Sequence, residues 1–358
     1  MYMTPDLAAP RAPETAGRHA EAEAEALALL YAGRSLSRDE AERLFAALVQ
    51  GRMAEPAIAA MLIALKIKGE TIDELVGAAR ALRAACVPFE RPSYLFADSC
   101  GTGGDEAGTI NLSTAVAFVA AAAGLPVAKH GNRSFSSRCG SADVIEALGV
   151  KLDVTAALSR RALDEIGICF LFAPAYHPGL RHAGPVRKAL KVRTTMNLLG
   201  PCLNPAAPPV QLLGVAEARL IEPIARTLAA LGVERALVVH GAGLDEIAGH
   251  APTEAALVAD GRIERINLAP EDAGLKRRPL ATLSGGGPGE NAARLKALLR
   301  GRGGLAETEA VALNAGALLM VAGKAATLRQ GTRLALDTIA LGKPFALVEA
   351  LAELSHAG

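Results

Sequence analysis

A chain of 358 residues that is 51% hydrophobic and 21% charged has apolar material for one large core and a smaller satellite domain, which excludes a disordered or fibrous polymer. With 38 basic against 37 acidic residues the formal net charge is +1, so bulk attraction to nucleic acid, membrane surface or an acidic partner is excluded and any phosphate binding must be local. Cysteines at 86, 100, 139, 169 and 202, with no CxxC or Cys/His spacing, argue against a disulfide framework or zinc site and point to a reducing cytosol.

Residues 1–19 lack the basic-then-apolar order of a secretory signal and read as a disordered tail. From about residue 20 to 90 the pattern is helical, broken by short turns. Ser37 with Glu40 forms a capping box, and Leu44, Phe45 and Leu48 fall on one face before Gly51 ends the helix. Pro56 suits a first helical turn, and Met61, Leu62 and Leu65 stack before Gly69. Thr71 with Glu74 repeats the box and opens a helix carrying Leu75, Val76, Ala79 and Leu82. Short amphipathic helices of this kind make a small bundle that also needs a partner surface.

After Pro88 short apolar runs alternate with longer helical periods, the pattern of a large α/β domain with a mainly parallel sheet over 91–358. Expected strands are Leu95 to Asp98, Val127 to Lys129, Ile168 to Phe172, Gln211 to Val215 and Ala236 to Val239, with helices near 113–123, 141–148, 155–166 and 217–231. Glu254 to Leu268 reads as a hairpin around Asp260-Gly261, Gly285 to Gly287 as a loop, and 289–355 as helices. The most apolar stretch, Ala115 to Ala123, is closed by Gly124 and Pro126, short of the roughly 20 residues a membrane span needs.

Chemistry gathers at four places. Asp98-Ser-Cys-Gly-Thr-Gly-Gly-Asp105 follows a strand, and Asn111-Leu-Ser-Thr114 enters a helix; glycines that bare N–H groups beside a helix start suit a diphosphate. At the end of the next strand, Lys129-His-Gly-Asn-Arg-Ser134 offers the charges of Lys129 and Arg133, and Ser137 and Ser141 add neutral donors, although Ser141 also suits an N-cap. Arg187, on a helix beside Arg181, Lys188 and Arg193, can hold an aromatic carboxylate with its planar fork, where the plainer reading is a basic surface. His177, between Tyr176 and Pro178, reads as a packed loop residue with no nucleophile partner. Asp245 and Glu246, after a strand, fit Mg²⁺ bridged to substrate phosphates; two acids in the first turn of a helix would otherwise complement its dipole.

Taken in order and spacing, GTGGD, NLST, KHGNRS, GSAD, the Arg193-Thr194 to Asn204-Pro205 run and HGAGLDE resemble the anthranilate phosphoribosyltransferase family from about residue 25 to 350. The resemblance implies a small helical domain at 20–90, joined by a returning segment near 177–195, on a nucleoside phosphorylase-like α/β domain, with homodimers formed through the helical domain. It implies transfer of the phosphoribosyl group of phosphoribosyl pyrophosphate to anthranilate in tryptophan biosynthesis, with Mg²⁺. By the same resemblance Gly101, Asn132 and Arg187 adjoin anthranilate. Gly101, Gly104, Asp105, Thr109, Asn111, Ser113, Thr114, Lys129, His130, Gly131, Asn132, Arg133, Ser137 and Ser141 line the donor site, with the loop from Lys129 to Ser137 closing over it. Ser113, Asp245 and Glu246 are the implied Mg²⁺ ligands. Departures from the family pattern are Cys139, Lys191, Thr195, Met196, Cys202 and Leu203, none of which removes an expected ligand.

Two alternatives bound this reading. A pyrimidine nucleoside phosphorylase would share the fold but use inorganic phosphate, and the Asp245-Glu246 pair and NLLGP context speak against it. A noncatalytic nucleic-acid-binding paralogue would need an extended basic face, which a net charge of +1 does not supply.

Overall fold

The structure, a computed structural model, describes residues 13–134 and 138–357, with side chains from residue 20 onward. Four helices open the chain: α1 (Pro13–Tyr31), α2 (Arg38–Val49), α3 (Glu55–Lys68) and α4 (Ile72–Ala84). α1 begins inside the segment expected to be a tail, because a run of Ala and Glu after Pro13 is strongly helix-forming; residues 1–12 lie outside the described residues. Both capping boxes form as the sequence predicts. The second does more than end a helix. Glu74 is fully buried, and its carboxylate accepts from the Thr71 N–H at 2.8 Å, the Leu36 N–H at 2.9 Å and Lys68 Nζ at 2.8 Å, so one side chain ties the entry of α2 and the end of α3 to the start of α4.

The α/β part follows as β1 (Ala97–Gly101), α5 (Leu112–Ala122), β2 (Val127–Gly131), α6 (Ser141–Ala147), α7 (Ala156–Glu165), β3 (Ile168–Phe172) and the short α8 (Ala173–Tyr176). The chain then crosses back to the helical bundle through a 3₁₀ turn, α9 (Gly184–Leu190), α10 (Thr195–Leu199) and a second 3₁₀ turn ending at Leu203. This segment reaches further than the expected 177–195, because Met196, Leu199 and Leu203 join Ala183 and Val186 in the core formed by Leu44, Phe45, Met61, Leu65 and Leu82. Lys191, at a position where glycine is frequent in the family, ends α9 with φ 52°, in the left-handed region.

From there β4 (Val210–Gly214), α11 (Ile221–Ala230) and β5 (Arg235–His240) complete the parallel portion. The hairpin of β6 (Thr253–Ala259) and β7 (Arg262–Leu268) turns at Asp260 and Gly261, both at positive φ as a two-residue turn requires. Helices α12 (Pro288–Leu299), α13 (Leu305–Val321), α14 (Leu328–Ala340) and α15 (Lys343–His356) close the chain, with α13 packed on α5 and α14.

The sheet order is β3-β2-β1-β4-β5-β6-β7, parallel through β5 and antiparallel beyond it. The chain lays down β1, β2 and β3 in one direction, then returns to place β4 on the other side of β1. That reversal opens a crevice at the carboxyl ends of β1 and β4, where open α/β sheets bind ligands. Arg83 of α4 donates to the carbonyls of Cys202 at 2.7 Å and Leu231 at 3.3 Å, joining the helical bundle to the end of α11.

Candidate active site

β1 ends at Gly101 and β4 at Gly214, paired side by side, and both glycines are required by what crosses them. A Cβ on Gly214 would meet the Asp245 backbone, and one on Gly101 would meet its carboxylate. The turn after β5 therefore folds back over the strand ends. It is not the start of a helix: residues 241–248 form bends only, so the dipole reading of Asp245 and Glu246 fails for want of a helix. Asp245 Oδ2 accepts from the Gly103 N–H at 2.7 Å, and the Asp245 N–H points to Asp105 Oδ2 at 3.4 Å. Glu246, 9% exposed, accepts from the Ser113 N–H at the start of α5.

Lys129 projects from β2 beneath this cluster and is 3% exposed. Its Nζ donates to the Ser99 carbonyl at 2.5 Å and to Ser113 Oγ at 3.2 Å, so Ser113 stands between the lysine and Glu246. Burial pushes the Asp245 carboxyl up to about 7, and the neighbouring Asp105 adds to the shift. Burial first and Asp245 second hold Glu246 well above the usual carboxylate range, with Lys129 opposing. Two adjacent buried carboxylates with raised proton affinity are a donor set short of positive charge, which suits a hard divalent cation. Among the described residues no three His, Cys, Asp or Glu are arranged to hold a metal ion by themselves, so such a cation would complete its shell with water and substrate oxygens, as Mg²⁺ does.

The glycine-rich loop continues with Gly104 at φ 76°, where the Arg193 guanidinium lies against the Cα. Arg193 donates to the Gly103 carbonyl at 2.5 Å and the Thr102 carbonyl at 3.4 Å, from the returning segment. Thr109 makes a bridge to Ser284 of the loop containing Gly285. Asn111 is the N-cap residue of α5, but its amide is turned elsewhere: Nδ2 donates to the Cys139 carbonyl at 3.0 Å and Oδ1 accepts from Asn291 at 3.0 Å. Thr114 faces the interior with its hydroxyl buried and unpartnered.

Around β2 the structure corrects three expectations. Arg133 does not offer its charge to the crevice: its guanidinium pairs with Asp143 at 2.9 Å and Glu146 at 2.8 Å on α6, which raises its affinity for its proton. His130 has its ring buried edge-on to His177, centroids 5.3 Å apart, so it serves the seam between domains; burial drives both rings toward the neutral form, His177 to about 4. Ser141 is not the N-cap of α6. Gly140 is, with its N–H bound by Asp143, while the Ser141 hydroxyl donates to the Asn132 carbonyl at 3.2 Å beside Gly131. Asn132 is exposed at the rim, and Ser137 lies outside the described residues.

Arg187 sits on α9, half-buried, with burial lowering the affinity of its guanidinium for its proton. The sequence motifs contain Arg193 and Asn204 without revealing what either holds, and they do not include Asn291 or Asn314. Asn204 donates to Asp98 at 2.9 Å and to the Ala128 carbonyl at 2.8 Å, knitting β1 and β2 beneath the site. The only sequence signal for Asn291 and Asn314 is an amide on an otherwise apolar helical face.

Residues 24–86 match the helical bundle domain of a glycosyl transferase family, and residues 93–345 match its a/b domain. The chain is 58% identical over 329 residues to the anthranilate phosphoribosyltransferase of Sorangium cellulosum strain So ce56, covering 92% of this chain and 94% of that protein. It is similar in structure to the crystal structure of the anthranilate phosphoribosyltransferase of Thermus thermophilus, with TM-score 0.88, 43% identity and coverage of 92% and 99%. The Saccharomyces cerevisiae anthranilate phosphoribosyltransferase in complex with PRPP and Mg shares the fold at TM-score 0.86 and 24% identity, covering 94% of this chain and 99% of that one. Two domains matched in order, and a relative this similar along 92% of the length, establish that the chain belongs to the anthranilate phosphoribosyltransferase family.

Proposed function

We propose that the protein transfers the 5-phosphoribosyl group of phosphoribosyl pyrophosphate to the amino nitrogen of anthranilate, releasing pyrophosphate, as a step of tryptophan biosynthesis. The observation that carries this reading is the position of Asp245 and Glu246, folded from the end of β5 over the glycine-rich end of β1 beside Lys129. The donor diphosphate fits the loop from Gly101 to Asp105 and the first turn of α5, which has no side-chain cap. Mg²⁺ held by Asp245 and Glu246, with Ser113 alongside, would supply charge neutralisation to the departing pyrophosphate. Lys129 holds positive charge under the same position, in a medium where burial strengthens it.

Arg187 fixes the anthranilate carboxylate through its planar fork, aiming the amine at the sugar. The amine is neutral near pH 7, so no strong base is required; His130 and His177 face each other in the seam. The N–C1 bond forms as the C1–O bond to pyrophosphate breaks; pyrophosphate leaves with the electron pair, and the amine gives up one proton to solvent.

Exposed Tyr31 on α1 and Ile67 on α3, the latter 81% exposed, support a homodimer formed through the helical bundle, which light scattering would measure directly. All five cysteines are free thiols, which fits a cytoplasmic setting, and no helix among the described residues is long and apolar enough to cross a membrane. The deciding assay follows anthranilate fluorescence: it should decay only with phosphoribosyl pyrophosphate and Mg²⁺ together, one pyrophosphate appearing per anthranilate consumed. No decay, with phosphorolysis of a pyrimidine nucleoside instead, overturns the reading.

A further inference from the structure

We propose that Asn314 and Thr253 are positioning residues that fix the Asp245–Glu246 turn and thereby set the use of Mg²⁺ and of the sugar-diphosphate donor; this rests on the donor reading above.

The turn between β5 and β6 has no ladder to hold it. Within it Gly241 and Leu244 exchange backbone bonds, the Gly241 N–H donating at 2.9 Å and the Leu244 N–H at 3.2 Å, which closes its first half. Its second half carries the two carboxylates, and these repel each other and are desolvated together. Something must keep them in register. Just past Glu246, the Ile247 N–H donates to Asn314 Oδ1 at 2.8 Å, and the Ile247 carbonyl accepts from Asn314 Nδ2 at 3.0 Å. One amide thus grips both backbone groups of one residue, as a neighbouring strand would. The following N–H, of Ala248, donates to Thr253 Oγ1 at 2.9 Å, at the start of β6.

Both gripping side chains are fully buried. Asn314 lies in the middle of α13, among Val311, Leu313, Ala315, Ala317 and Leu318, where an unpaired amide would be costly. Its second amide hydrogen goes to the Ala310 carbonyl at 3.0 Å, so its orientation is set from within the helix. Neither residue touches the crevice; each acts through the backbone of the turn. Supporting groups placed in this way commonly govern metal affinity by 10–100-fold.

The test compares wild type with Asn314→Leu, Thr253→Val and Thr253→Ser, each assayed well below its own melting temperature. Asn314→Leu keeps the volume and removes the grip, while Thr253→Val removes a single acceptor at nearly constant shape. Thr253→Ser restores that acceptor. We expect Asn314→Leu to raise the Mg²⁺ half-saturation and the KM for phosphoribosyl pyrophosphate on the order of 10–100-fold, with the anthranilate KM within about twofold. Thr253→Val should show the same split at lower amplitude, and Thr253→Ser should behave as wild type. Should Asn314→Leu fail to fold, the valine and serine pair decides. Unshifted Mg²⁺ and donor dependence in Thr253→Val, or parallel loss of both substrates' parameters, overturns the inference. Wild-type turnover measured in the same series separates the two: with turnover normal and the variants unshifted only this inference falls, whereas a wild type with neither turnover nor calorimetric Mg²⁺–donor binding removes the functional reading and this one with it.

Discussion

Asp105, Asp245 and Glu246 set three carboxyl groups against the two cations Lys129 and Arg193 in the crevice, and that imbalance is measurable. A carboxyl whose folded pKa is raised loses stability for the fold as pH rises above its unfolded value, because the unfolded chain then ionises more fully. For Asp245 the window runs from about 4 to about 7. Asp245→Asn with Glu246→Gln should therefore nearly abolish turnover while leaving the metal-free melting temperature at pH 7 unchanged or higher; near-native turnover with the same Mg²⁺ dependence would count against the metal site. His177 works in the opposite direction. Burial holds its ring near 4, so the folded protein keeps it neutral and the unfolded chain takes up a proton below about pH 6.5. Stability is retained above that pH and lost as pH falls toward 4, by about 1.4 kcal/mol per pH unit per ring. Urea titrations at pH 7, 6 and 5 should show a shallower acid loss in His177→Gln, and an unchanged slope would refute the buried-ring account. Asp245, Glu246 and Lys129 stand out in the sequence because their chemistry is rare at strand ends, and the fold brings the three together. The sequence does not show what Arg193 or Asn314 holds, because their partners are carbonyls and N–H groups that any sequence possesses.

The two capping boxes were equally legible, yet they differ in what depends on them. Glu40 is half-buried and serves only Ser37, so Glu40→Ala should cost about 1 kcal/mol. Glu74 is buried with three donors from the ends of three helices, and removing it strands two N–H groups and takes from the Lys68 ammonium its carboxylate partner. Its loss should be on the order of 3–5 kcal/mol, read as an earlier urea midpoint, and equal costs for the two substitutions would show that the hub is not a hub. Strands are most legible where both faces are covered: Ile168–Phe172 is apolar throughout, and β3 has the bounds that the sequence predicts. β1 lies later than the expected Leu95 to Asp98, because Ser99, Cys100 and Gly101 look like loop residues while pairing with β4 carries the strand to Gly101 regardless. The alternative of a helix start at Asp245 is excluded for the converse reason, since tertiary grips on Ile247 and Ala248 hold the turn open.

At the scale of the whole molecule the two-domain division was readable from the change of grammar after Pro88, but the length of the returning segment was not, since Met196, Leu199 and Leu203 look like any apolar residues until the bundle they complete is seen. That completion makes a prediction. A fragment of residues 13–90 lacks Ala183, Val186, Met196, Leu199 and Leu203 from its core and should show low cooperativity on heating and bind a hydrophobic dye, whereas a sharp transition would mean that the four helices suffice. The same threading has a consequence during synthesis. The four N-terminal helices leave the ribosome first, but the residues that seal their core follow roughly a hundred positions later, a delay on the order of ten seconds at 5–20 residues per second. For that interval the nascent chain presents an open apolar groove, a natural target for cotranslational chaperones, and the bundle is finished only after the first three strands of the sheet have been made.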